Sequence, residues 1–226
     1  DTWSFASAQY EMIGTDNVTG GSVSSSKYGD EKYGDALADK VDLFSWSTSA
    51  TNFGVSTSTD YDDYYGSFVD WGTNQIGDDA PNTWRTLSYD EWFYLIHTRT
   101  DAASLKGAAQ VNGVNGIVFL PDNWTCPSDV TFKSGFTGYG IDYYATHQTF
   151  TAEEWAKLEA AGAVFLPAAG NRGGWNVFDV QYCGYYWTST EGGNNGAYYL
   201  ILYSDITGVN YYNRASGYSV RLVKDL

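Results

Sequence analysis

Cysteine is scarce in this chain: Cys126 and Cys183 are the only two in 226 residues. Two cysteines do not make a disulfide scaffold, and neither sits in a CxxC pair or beside histidines at zinc-ligand spacing. They read as free, partly buried thiols, with a bridge between them as the alternative, because sequence does not give their separation. Histidine is equally rare, with His97 and His147 alone. His97 falls in the last turn of an expected helix, where a cation suits the dipole. His147 falls in the polar loop "YYATHQTF", and both read as structural or solvated. Positive charge is short as well, 12 Lys and Arg against 27 Asp and Glu for a net charge of −15. That balance argues against binding a nucleic-acid backbone or inserting at an anionic membrane surface, both of which need clustered basic side chains. There is no run of 18 apolar residues, the length a bilayer-spanning helix needs.

The familiar enzyme signatures are missing too: no GxSxG, no HExxH, no phosphate-cradling glycine loop and no dinucleotide fingerprint. Paired carboxylates need only two residues, but Glu153 and Glu154 stand in the first turn of an expected helix. There Glu154 completes a capping box and both suit the positive end of the dipole, and Asp90 and Glu91 read the same way. The acidic run "DYDDYY" at 60–65 offers oxygen ligands to calcium but lacks EF-hand spacing, so a solvated loop is the favoured reading. The sequence therefore leads to the expectation of a non-enzyme, with no catalytic residue, no metal site and no cofactor.

What the chain does have is aromatic bulk: 9 Trp and 20 Tyr, with aromatics at 18% of the residues. That is too rich in large side chains for disorder, and the length suffices for a sizeable core. The opening, "DTWSFAS", begins mid-pattern and suggests a leader or upstream segment before it. Residues 15–40 and 47–66 are polar, Gly/Ser/Thr-rich and weakly periodic, and read as long surface loops interrupted by "VDLFSW" and "SFVDWG". Two helices are announced by capping boxes. "LSYDEWFYLIHT" has Ser88 and Glu91 flanked by the staple pair Leu87 and Trp92. "FTAEEWAKLEAAG" has Thr151 and Glu154, with Phe150 and Trp155, and Gly162 to end the helix. Each is followed by a short apolar strand ending in proline, "GIVFLP" and "AVFLP". Beyond residue 172, "GYYWTST", "AYYLILY" and "GYSVRLV" read as antiparallel strands joined by turns such as "EGGNNG". The expected fold class is α+β, one domain over 1–226 with two helices, a twisted antiparallel sheet and long loops.

Within 197–223 the period-two pattern is unusual. Tyr198, Leu200 and Leu202 form one parity, and Tyr199, Ile201 and Tyr203 the other, followed by Asp205, Thr207 and Val209. A half-buried strand normally sets polar residues opposite apolar ones, yet both parities here are large. With Leu200, Leu202, Val220 and Leu222 assigned to the interior, the second parity and "NYYNRASGY" are expected to face water. Nine of the 20 tyrosines lie within 182–218. Tyrosine mixed with Gly, Ser and Asn is the composition of an antibody-like contact surface.

The ordered series "WRTLSYDEWFYLI", "NGIVFLPDNW", "TAEEWAKLEAAGAVFLPAAGNR", "GYYWTST" and "GYSVRLV" resembles C-type-lectin-fold domains of gut Bacteroidetes and their phages, related to the Fibrobacter-type major paralogous domain. "WSFASAQYEMIG" and "VDLFSW" fit the N-terminal part of that pattern. Many such domains are variable proteins of diversity-generating retroelements, in which adenines of a C-terminal cassette are rewritten, most often in AAC and AAT codons. The resemblance implies a C-type-lectin fold whose cassette, here 175–226, forms an exposed ligand-binding face. Residues reachable from AAC by changing adenines are Phe178, Asp179, Tyr182, Cys183, Tyr199, Ile201, Tyr203, Asp205, Thr207, Val209, Tyr211, Tyr212, Ala215, Ser216 and Tyr218. Tyr198, Leu200, Leu202, Arg214, Gly217, Val220 and Leu222 read as scaffold, and Trp175 is not reachable. The calcium-ligating Glu-Pro-Asn, Gln-Pro-Asp and Trp-Asn-Asp sequences of sugar-binding C-type lectins do not occur. The implied function is recognition of a protein or glycan on another cell or on a phage host surface, with the domain extracellular and displayed on a cell or phage particle. The alternative is a carbohydrate-binding or adhesin module of fixed specificity.

Overall fold

The computed structural model describes residues 4–12, 43–49, 53–54, 58–174, 176–193, 195–205 and 207–225. The expected loop over 15–40 and Trp175 lie outside these residues. The 47–66 segment is not simply laid over the surface: Ser47, Phe53 and Tyr64 are buried within it. "SFVDWG" enters no strand ladder and closes in a 3-10 turn over Trp71–Thr73.

In chain order the elements are β1 (Arg85–Thr86), α1 (Tyr89–Phe93), β2 (Lys106–Val111), β3 (Val114–Phe119), α2 (Tyr143–His147), β4 (Thr149–Phe150) and α3 (Ala152–Ala160). Then follow β5 (Val164–Pro167), β6 (Asn171–Gly173), β7 (Asn176–Phe178), β8 (Gly184–Glu191), β9 (Gly196–Leu202), β10 (Thr207–Asn213) and β11 (Leu222–Val223). The protein is thus α+β, mostly sheet with a few short helices. None of the described helices is long and apolar enough to cross a membrane.

Both capping boxes form. Ser88 accepts from the Glu91 N–H while Glu91 reaches back to the Ser88 N–H, and Thr151 and Glu154 do the same for α3. α1 is cut to five residues and continues as a π-helical turn over Tyr94–Thr98. α3 ends at Gly162, whose φ of +94° is the left-handed conformation that glycine adopts freely. α2 was not anticipated: "YYATHQTF" has no helical period. It buries Tyr144 and His147, and desolvation lowers the His147 pKa below the ordinary histidine value.

β4-β2-β3-β5 form a four-stranded sheet in which β2 and β4 run parallel and the other pairs antiparallel. The two similar strands "GIVFLP" and "AVFLP" are direct neighbours in it, Val118 opposite Phe165. A second, antiparallel sheet has the order β10-β9-β8, with an irregular register between Trp187 and Glu191. β1 pairs with β11, and β6 with β7. "GYSVRLV" is not a full strand of the second sheet. It bridges through Gly217, Tyr218 and Ser219 to three different segments before β11.

The second sheet separates two apolar clusters. One face carries Leu200 and Leu202, packed with Leu87, Trp92, Ile96 and Tyr186. The other carries Ala197 and Tyr199, packed with Trp187, Tyr218 and the incoming Phe44 and Trp46. That second cluster is locked by polar bonds. Trp187 Nε1 donates to the Phe44 carbonyl at 2.6 Å, and Trp46 Nε1 to the Thr188 carbonyl at 2.9 Å. Arg214, 1% exposed, lies 4.5 Å above the Trp46 ring and pairs with Glu191.

Candidate binding face

β9 ends at Leu202 and β10 begins at Thr207, its Cα partner. The pairing then sets Ile201 opposite Gly208, Leu200 opposite Val209, Tyr199 opposite Asn210 and Tyr198 opposite Tyr211. Paired residues share a sheet face. Each odd-numbered residue of β9 is therefore matched to an even-numbered one of β10. The four-residue loop at 203–206 reverses the parity, so an alternation carried straight through it assigns β10 to the wrong side.

The expectation that Tyr199, Ile201, Tyr203, Tyr211, Tyr212 and Tyr218 converge on one exposed surface is therefore corrected. Tyr211 and Tyr212 are consecutive and both exposed, at 60% and 58%, but they project from opposite faces of β10. Tyr211 lies beside Tyr198, their ring centroids 6.1 Å apart, on the face that carries Leu200 and Leu202. Thr207, buried, and Val209, half-buried, belong to that same face. Tyr199 and Tyr218 are only 6% and 3% exposed, and Cys183 and Ala215 are also buried. Of the four residues assigned to the interior, Leu200 and Leu202 are fully buried. Val220 and Leu222 are half-buried against the core.

What the fold does gather is a contiguous tyrosine array. Tyr218 stacks on Tyr185 at 5.0 Å and lies 4.8 Å from Tyr199 and 4.4 Å from Trp187. Tyr203 stands 6.3 Å from Tyr182 and 5.7 Å from Tyr139, and Tyr139 meets Tyr182 edge-on at 5.4 Å. Tyr203, Tyr185 and the Cys183 thiol are in polar contact, which joins the two groups of rings. Tyr212 is near enough to Tyr199 and Tyr218 for its hydroxyl to bear on theirs. Ile201 is half-buried on the same sheet face as Tyr199, and Ser216, also half-buried, lies close to the Tyr218 side chain. Asp205 is exposed in the β9–β10 loop, and Phe178 is half-buried in β7.

Among the described residues, Asp179 is the carboxylate hydrogen-bonded to the array. Its Oδ2 accepts from the Tyr185 hydroxyl at 3.4 Å and from Asn171 Nδ2 at 3.3 Å. Its backbone has a φ of +60°, in a tight turn whose carbonyl accepts from the N–H groups of Tyr182 and Cys183. Burial pushes the Cys183 thiol and the Tyr199 hydroxyl up to about 12. Burial likewise raises Tyr185 and Tyr218, and Tyr182 is raised by a hydrogen bond that its own hydroxyl donates toward Tyr139. These groups are protonated and uncharged near neutral pH, so the array offers hydroxyls and ring faces rather than charge.

Tyr139 and Tyr185 belong to the array and were not singled out from sequence. Tyr185 sits in "GYYWTST", where it reads as one more strand residue. Tyr139 sits in the loop "GYGIDYY", with no period to place it. The tyrosine density of 182–218 covered Tyr185, and Tyr139 lies outside it. Cys126 and Cys183 are both free thiols. No cluster of metal-ligating side chains occurs among the described residues. The acidic 60–65 run folds as a 3-10 turn over Tyr61–Tyr64, capped by Asp60. No family model, no curated protein and no solved structure matches this chain.

Proposed function

We propose that the protein is a non-enzymatic recognition domain of C-type-lectin fold, whose ligand face is the exposed and half-buried border of the tyrosine array, Tyr139, Tyr182, Tyr203 and Tyr212, resting on the buried rings of Tyr185, Tyr199 and Tyr218. The carrying observation is the array itself: Tyr139, Tyr182, Tyr185, Tyr199, Tyr203 and Tyr218 in mutual ring or hydroxyl contact, with exposed Tyr212 at its border. Tyrosine provides large amphipathic contact area at low conformational-entropy cost. We further propose that this face is diversified by a retroelement and displayed on a cell or phage surface to engage a protein or glycan. The half-buried and exposed positions Tyr182, Ile201, Tyr203, Asp205, Tyr212 and Ser216 are those at which substitution disturbs the buried core less than at Cys183, Tyr199, Ala215 or Tyr218. The nucleotide sequence around the gene is the test. A reverse transcriptase and a repeat differing at adenines of 175–226 support the reading, and their absence overturns the diversification.

The burial of Tyr199 and Tyr218 against Trp187 favours a second reading, a fixed-specificity carbohydrate-binding or adhesin module. Rings that help hold the core are poor places for free variation. On that reading Tyr212→Ala abolishes binding to one glycan class on an array, and the locus lacks the repeat.

A further inference from the structure

The chain has five arginines, and four of them are well satisfied. Arg85 meets Glu91 and Asp225. Arg99 meets three carbonyls and Asp122. Arg172 reaches three carbonyls and the Ser45 hydroxyl, and Arg214 three carbonyls and Glu191. Arg221 differs. Among the described residues its guanidinium makes one long hydrogen bond, Nη2 to Gln9 Oε1 at 3.4 Å, and no ion pair. A partly desolvated cation with most of its five N–H donors unused is costly unless something else meets it. Burial accordingly lowers its pKa.

Arg221 lines a cleft of about 410 Å³ between the 4–12 segment, the edge strand β5 and the 219–222 segment. The size falls in the roughly 300–1,000 Å³ range of small-molecule sites. Its walls are mainly apolar and aromatic, with Phe5, Trp71, Ile76, Trp84 and Tyr186 among them. The two carboxylates at the cleft are hydrogen-bonded to neutral groups and neither is ion-paired with Arg221, although the negative charge of Glu159 still bears on the guanidinium. Glu159 Oε1 accepts from Gln9 Nε2 at 2.6 Å, and Glu11 accepts from the Ser7 N–H at 2.9 Å and its hydroxyl at 2.7 Å. Gln9 also accepts from the Phe165 N–H at 2.8 Å, which ties the 4–12 segment to β5 and holds one wall in place.

We propose that this cleft binds a small organic acid, with the Arg221 guanidinium taking the carboxylate and the aromatic walls taking an apolar body. A guanidinium fork matches a carboxylate bidentately, through two parallel N–H bonds. None of the array's tyrosines lines the cleft, while Phe44 and Trp71 line it and pack in the same apolar cluster as Tyr185, Tyr199 and Tyr218. Tyr185 and Tyr186 are neighbours in β8 and project from opposite faces, Tyr185 into the array and Tyr186 to the cleft.

Isothermal titration of the full chain with acetate, hexanoate, 4-phenylbutyrate and 4-phenylbutanol tests the assignment. The expected result is saturable one-to-one binding of 4-phenylbutyrate, at least about tenfold tighter than the matched alcohol, and acetate weakest, in line with charge-assisted bonding added to apolar burial. Arg221→Gln should remove the preference of acid over alcohol while leaving alcohol binding in place. Trp84→Phe should keep the preference and diminish the tryptophan fluorescence change on binding, a second readout if Arg221→Gln does not fold. Equal affinity for acid and alcohol, no saturable binding by any of the acids, or a preference that survives Arg221→Gln would overturn the proposal.

Discussion

Tyr218 and Tyr212 are chemically identical and six residues apart, yet they respond to different forces. Tyr218 packs against Tyr185, Trp187 and Tyr199 and is 3% exposed, whereas Tyr212 is 58% exposed. Deleting a buried aromatic ring costs about 3–5 kcal/mol, so Tyr218→Ala should lose stability on that scale in urea unfolding. Tyr212→Ser should stay within about 0.5 kcal/mol of the parent. A Tyr218→Ala loss as small as that of Tyr212→Ser would mean that Tyr218 does not support the core. Cys183 makes a parallel case. The thiolate is the reactive form, and burial both raises the Cys183 pKa to about 12 and shields the sulfur. Cys126 is less buried. A disulfide reagent applied to the native protein should therefore label Cys126 first and Cys183 only after unfolding, as read by peptide mapping. Equal labelling rates would contradict the placement of Cys183.

At the scale of elements, local chemistry was legible where it is self-contained. Ser88 with Glu91 and Thr151 with Glu154 announce their helices because a capping box is completed within four residues. Thr151→Ala should accordingly cost about 0.5–2 kcal/mol in urea unfolding. "GIVFLP" and "AVFLP" were legible because short apolar runs between turn signals suit buried strands. β2, "KGAAQV", was not, since its small side chains give no alternation, and it is positioned by pairing with β3. The side of β10 was lost for a different reason: a strand's face depends on its register, and register depends on the loop before it. One residue more or fewer in 203–206 would exchange Tyr211 for Tyr212. Leu202 is free of this ambiguity, being fully buried with Leu200 and Trp92. Leu202→Ala should cost about 2–5 kcal/mol, and a loss below about 0.5 kcal/mol would reverse the faces of β9 as well.

Across the whole molecule, what sequence could not reveal is long-range satisfaction of polar groups. Nothing near Arg172 or Arg214 in the chain indicates that each will be buried against carbonyls far away in sequence, nor does anything near Arg221 indicate that it will lack them. The tyrosines follow the same logic. Their density was legible, but the burial that perturbs them comes from packing among segments distant in the chain. Tyr144, Tyr182, Tyr185, Tyr199, Tyr203 and Tyr218 all have raised pKa values, as does Cys183. For most of them burial is the leading cause. A hydrogen bond leads only at Tyr182, which is exposed enough to contribute little. An acid whose pKa is raised by folding keeps its proton in the native state at a pH where the unfolded chain has released it. Above about pH 9 the native state therefore binds more protons, and stability falls with rising pH. The contribution is complete below the unfolded values and disappears as pH climbs through the native ones, near 12 for Cys183 and Tyr199. Urea unfolding midpoints should hold steady from about pH 7 to 8 and then decline toward about pH 11. Tyrosinate absorbance at about pH 11 should be lower for the native protein than for the urea-unfolded chain, the difference disappearing on unfolding. Superimposable native and unfolded titration curves would show that these hydroxyls are not buried together, and with them would go the array on which the proposed ligand face rests.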